Sequence, residues 1–252
     1  MIKNPNEIVE PLIDDLETVF GARLIGVCMY GDAVSHEYEP GKSPVNLLVV
    51  LSDTSVAMLH KGTALLQQWV KRGIAPPLFL SPADILSYVK DFPIEILSIK
   101  QLYRVLSGED SLSTVSLQKD DLYAQCMREL RGIALHLRRE YVAAEKTARL
   151  EGIMKTAVTT LLPVFKAVLI VYDKKIPHGR TEIIAAVEDL FGMGSSILSK
   201  IYNCKRFNRK DVHSWYDQLT ITVDTIISKT ADIGMVASEE NVAAEIDQVP
   251  SL

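Results

Sequence analysis

The sequence predicts an α+β protein in two parts: a mixed sheet with flanking helices, followed by an all-helical bundle. Three observations carry this. In the first hundred residues, short apolar runs of strand length alternate with segments whose apolar residues recur three and four apart. After about residue 115 the strand-type runs stop and only long helical periods remain. Between the two lies Ser107–Leu117, rich in Ser, with Gly108 and two acids. These place an α/β domain over 1–110, a helical bundle over 115–235, and a tail over 236–252 that lacks any apolar period and is expected to be disordered.

The elements follow in order. Pro5–Phe20 reads as a helix, with Ile8, Leu12, Leu16 and Phe20 four apart and Gly21 to stop it. Leu24–Tyr30 is an apolar run ended by Gly31 and Asp32, which predicts a buried strand. A polar loop, Asp32–Ser43, precedes a second core strand over Val45–Leu51. Asp53 or Thr54 caps a helix to about Arg72, and Leu78–Leu80 makes a third strand. Ser81 and Pro82 open a short helix in the N-cap and N1 positions, and Pro93–Ile99 is expected to be a fourth strand. Beyond the boundary, helices are expected over Lys119–Ala144, Lys146–Tyr172, Thr181–Phe191, Ser195–Tyr202 and Arg209–Ile233, with Pro163 kinking the second.

Composition narrows the function classes. With 48% hydrophobic and 23% charged residues, the chain has an ordinary globular balance rather than a disordered one. Uncharged runs such as Thr156–Phe165 reach about ten residues, short of the roughly 20 a spanning helix needs, so no membrane partner is expected. Residues 1–6 lack a basic-then-apolar signal pattern. Cys28, Cys126 and Cys204 lie far apart with no metal-type spacing, which favours a reducing cytoplasm. Net charge is −5, and the last 17 residues supply −4 of it through Glu239, Glu240, Glu245 and Asp247. A nearly neutral body does not suggest a nucleic-acid binder. The densest basic run, Lys205–Lys210, sits between two helices, where its ordinary reading is a solvated loop.

The stretch that carries chemistry runs from Leu24 through Tyr30-Gly31-Asp32, across the loop, to Ser43-Pro44-Val45-Asn46-Leu47. It resembles the nucleotidyltransferase fold that includes the aminoglycoside and kanamycin nucleotidyltransferases. In that family a strand ends in Gly-Ser, a loop follows, and the next strand opens with two aspartates two residues apart. Bacterial members also carry a helical C-terminal domain. The physical logic is that alternate strand residues share a face. Two carboxylates there hold Mg²⁺ against the nucleotide phosphates, and a third acid on a neighbouring strand assists.

The frame is kept here and the signature is broken. The resemblance puts Pro44 and Asn46 at the two aspartate positions and Asp32 at the serine, and leaves Glu95 as the counterpart of the third acid. It implies a nucleotide or small-molecule ligand in the interdomain cleft, with Gly31, Asp32, Ser43, Asn46, Arg131 and Arg138 as candidate contacts and Glu95 as the candidate catalytic residue. No metal site is expected. The expected role is that of a ligand-binding or regulatory pseudoenzyme. Two alternatives stay open. One is an active enzyme with a shifted site built on Asp32, Glu37, Glu39 or Glu95, which would use Mg²⁺ and ATP. The other is an interaction protein that dimerises through its bundle.

Overall fold

The computed structural model describes residues 2–194 and 196–246, with side chains described through Asp232. The chain divides into two compact units, Met1–Gln118 and Lys119–Leu252.

The first unit is built on a four-stranded mixed sheet in the order β3-β2-β1-β4. Its strands are β1 (Leu24–Tyr30), β2 (Asn46–Leu51), β3 (Leu78–Leu80) and β4 (Tyr103–Gly108). β1 pairs antiparallel with both β2 and β4, while β3 joins β2 in parallel. Both faces are covered, which explains why β1 and β2 read as continuous apolar runs. Val27, Met29, Leu47, Val49 and Leu51 pack with Leu12, Leu16 and Phe20 of α1 (Val9–Phe20) and Trp69 of α2 (Val56–Arg72). Their strand neighbours Cys28, Leu48 and Val50 point the other way, onto Ile85 of α3 (Pro82–Asp91) and Ile96 and Ile99 of α4 (Pro93–Lys100).

Local signals hold these helices in place. Ser55, one or two residues past the expected caps, accepts from the Met58 amide, and Asp53 in turn accepts from the Ser55 amide. Ser81 and Asp84 form a reciprocal capping box at the start of α3. The Trp69 indole donates to Asp15 at 2.9 Å, tying α2 to α1. The Lys100 ammonium donates to the carbonyl of Leu112 at 2.9 Å and to that of Val115, which fixes the exit of the unit.

One expected element is corrected. Pro93–Ile99 is the helix α4, not a strand, and the fourth strand lies at Tyr103–Gly108. Pro93 occupies the first helical turn, where its missing N–H costs nothing. The segment is apolar nearly all round, so its period could not separate a buried helix from a buried strand.

The second unit is helical: α5 (Lys119–Ala143), α6 (Thr147–Val171), α7 (Arg180–Leu190), α8 (Ile197–Asn203) and α9 (Val212–Ile246). Leu122, Cys126, Leu130 and Leu137 of α5 are buried at the predicted spacing, together with Val158, Leu161, Phe165 and Val168 of α6 and Leu219, Val223 and Ile226 of α9. By length and composition α6 could cross a membrane, but a run of its side chains from Leu150 to Val171 is buried in this unit. The side chains of α9 after Asp232 and residues 247–252 lie outside the described residues, and with them most of the acidic tail expected over 236–252.

A buried carboxylate locks α7 to α8. Glu188, 4% exposed, accepts from the Ser196 hydroxyl, the Ser199 amide at 3.2 Å and the Ser199 hydroxyl at 2.9 Å.

Candidate functional site

The end of β1 and the start of β2 lie side by side, because Tyr30 pairs with Asn46. At that point the chain turns through Gly31, whose φ of +75° is left-handed. The Gly31 amide donates to the Leu102 carbonyl at 2.9 Å. A Cβ on Gly31 would stand 3.3 Å from Nδ2 of Asn46. Backbone conformation and space therefore both favour glycine here.

A 3₁₀ turn, Gly31–Val34, follows. Asp32 accepts from the Ser43 hydroxyl at 3.2 Å, across an eleven-residue loop. Ser43 Oγ in turn accepts from the Glu39 amide at 3.2 Å, and the Glu39 carboxylate pairs with Lys42. The structure thus brings together four of the sequence candidates: Gly31, Asp32, Ser43 and Asn46.

The others stand elsewhere. Glu95 is exposed in the first turn of α4, not on a strand, so it is not the third acid of the sheet. The strand that does lie beside β1 is β4, and Tyr103–Gly108 holds no carboxylate. Arg131 and Arg138 belong to the helical unit. Arg138 is engaged there by Asp224 of α9, with one guanidinium nitrogen 2.9 Å from each carboxylate oxygen. Arg138 borders a cavity of about 290 Å³ with Tyr141, His213, Tyr216, Asp217 and Thr220.

Sequence reasoning missed two tyrosines. Tyr30 and Tyr103 are opposite one another on β1 and β4 and pack on the same face as Leu48, which by strand alternation is the face of Asn46. Burial pushes the Tyr30 phenol up, and burial and then the Asp110 carboxylate push Tyr103 up, so both stay neutral hydroxyls. Tyr103 donates to Asp110 at 3.0 Å. Only the pairing of β4 with β1 reveals them, and β4 was placed ten residues too early.

Chemically, this end of the sheet offers an amide, two phenols, a serine hydroxyl and the Asp32 carboxylate, with Pro44 exposed beside Asn46. Such a surface can donate and accept hydrogen bonds. Among the described residues, no three His, Cys, Asp or Glu side chains gather in a metal-ligating cluster.

Sheet order, the glycine turn between β1 and β2, and the helical second unit together define a nucleotidyltransferase-like fold, and comparison with solved structures shows that fold. The chain is similar to spectinomycin adenyltransferase AAD(9) from Enterococcus faecialis, solved with ATP and spectinomycin, with a TM-score of 0.55, 11% identity, and coverage of 90% of this chain and 100% of that one. No protein-family model and no curated protein sequence matches this chain.

Proposed function

We propose that this protein is a nucleotidyltransferase-like pseudoenzyme: it has lost metal-dependent nucleotidyl transfer and works in the cytoplasm by binding a nucleotide or similar small ligand, as a regulator. The observation that carries this reading is the pair Pro44, just before β2, and Asn46, its first residue, where the fold's chemistry calls for two carboxylates. Proline has no side-chain donor atom for a metal, and the asparagine offers a neutral oxygen. Asp32 adds a negative charge at the turn that faces phosphate in active relatives of this fold. A charge pair at about 4 Å, with an effective dielectric of about 20, is worth about 4 kcal/mol, enough to weaken triphosphate binding unless a cation offsets it. The buried thiols of Cys28 and Cys126 fit a reducing compartment.

Calorimetric titration with ATP, with and without Mg²⁺, tests the reading. Binding that is indifferent to Mg²⁺, with no nucleotide transferred to any acceptor, is the expected result. Binding that requires Mg²⁺, or transfer of AMP, would restore the active-enzyme alternative.

A further inference from the structure

The loop between α8 and α9 carries Lys205, Arg206, Arg209 and Lys210, and Lys200 lies in the last turn of α8. That is five cations in eleven residues, all exposed, with no acid before Asp211. Lys155 of α6 joins them, its ammonium 5.4 Å from the centre of the Phe207 ring. Phe207 is buried and stands edge-on to Trp215 with ring centres 5.4 Å apart, so the single apolar residue of the run pins it to α9. Asn208 closes the loop by accepting from the amides of Lys210 at 3.2 Å and Asp211 at 2.9 Å. None of the six cations forms an ion pair with a described residue. An ordered, unneutralised cationic loop in a chain of net charge −5 creates a local field opposite to that of the whole molecule.

We propose that this loop is a binding site for single-stranded nucleic acid, held through its phosphates. The sequence shows the run, whose ordinary reading is a solvated loop. Folding adds Lys155 to the run, and among the described residues these cations form no ion pair. Two half-buried rings, Tyr202 and Trp215, flank the cations and offer bases a stacking surface. A membrane is the less suited polyanion, because no large apolar side chain between residues 197 and 216 is strongly exposed for insertion. Recognition through phosphates carries no base specificity.

The test is fluorescence anisotropy of the full-length protein with a labelled oligothymidine of about 20 nucleotides, across a salt series. Five phosphate contacts on a single strand predict a slope of log K against log[salt] of about −3.5. Near 0.1 M salt each contact is then worth roughly fivefold, so the double variant Lys205→Gln with Arg206→Gln should bind about 25-fold more weakly. Thermal melting by circular dichroism should show both proteins equally folded. The pair Lys174→Gln with Lys175→Gln removes the same charge from another exposed segment and should bind like the parent. No binding at roughly 100 µM protein in low salt would overturn the proposal, as would a slope near zero or equal losses in the two double variants. So would binding to vesicles of about 30% phosphatidylserine without binding to the oligonucleotide, which would make the loop a lipid site.

Discussion

Asp32 in the sheet unit and Glu188 in the helical unit are both carboxylates held by serine hydroxyls, yet they do opposite work. Glu188 is buried, and three donors from Ser196 and Ser199 surround it. Asp32 is half-buried, accepts from Ser43 at 3.2 Å, and sits where two strand ends open onto the surface. A carboxylate whose hydrogen bonds are satisfied inside the protein fixes geometry, whereas one at a strand end keeps part of its surface toward solvent. Residue type and motif do not separate the two; burial does.

The largest effect should come from breaking the buried member. Glu188→Ala removes the acceptor of the Ser196 and Ser199 hydroxyls and of the Ser199 amide in the first turn of α8, and urea denaturation should show a loss of about 3 kcal/mol. Glu188→Gln keeps the shape and should cost about half as much. At the surface member, Gly31→Ala forces a left-handed residue against Asn46, and the same measurement should give a loss of about 1–2 kcal/mol. If Gly31→Ala destabilises more than Glu188→Ala, the buried carboxylate is not the stronger structural element of the two.

Alkaline pH compares the cores of the two units. Burial, and then the Asp110 charge, pushes the Cys28 thiol from 9.0 up to about 11. Burial pushes Cys126 up to about 12. A raised thiol keeps its proton in the folded chain after the unfolded chain has lost it, so stability is full below pH 9 and falls as pH rises from 9 toward 11. Unfolding free energies from urea denaturation at pH 8 and pH 10 should differ by roughly 1 kcal/mol per thiol. The smallest stability effect belongs to Asp32→Asn, expected within about 0.5 kcal/mol of the parent. The same variant removes a charge from the turn, and calorimetry should show it binding ATP more than about a hundredfold tighter than the parent. Unchanged affinity would separate Asp32 from any phosphate site.

Much of this was legible in the sequence. Strands β1 and β2 and the long helices announced themselves through apolar period and length, and the glycine turn through its position between two such strands. The failure at Pro93–Ile99 has a physical cause: a short helix buried on nearly every side has no polar stripe to betray its 3.6-residue period. Only the proline at its first turn pointed the other way. With that error went Tyr103, whose place beside Tyr30 is a fact of strand pairing. The contacts Asp32 to Ser43, Glu188 to Ser196 and Ser199, and Arg138 to Asp224 join residues that no local pattern links. The first two span loops of about ten residues, and the third crosses from α5 to α9.

The apolar helix α6 also bears on how the chain is made. It leaves the ribosome after α5 but before α7, α8 and α9, which supply much of its cover. About 60 residues separate its end from the last described core turn of α9, and at 5–20 residues per second that interval lasts roughly 3–12 s. During that time a 25-residue helix with the hydropathy of a membrane span has only α5 to lean on. The nascent chain is then a natural client for chaperones, and synthesis that stalls between residues 171 and 212 would release a product prone to aggregate before either unit could serve its purpose.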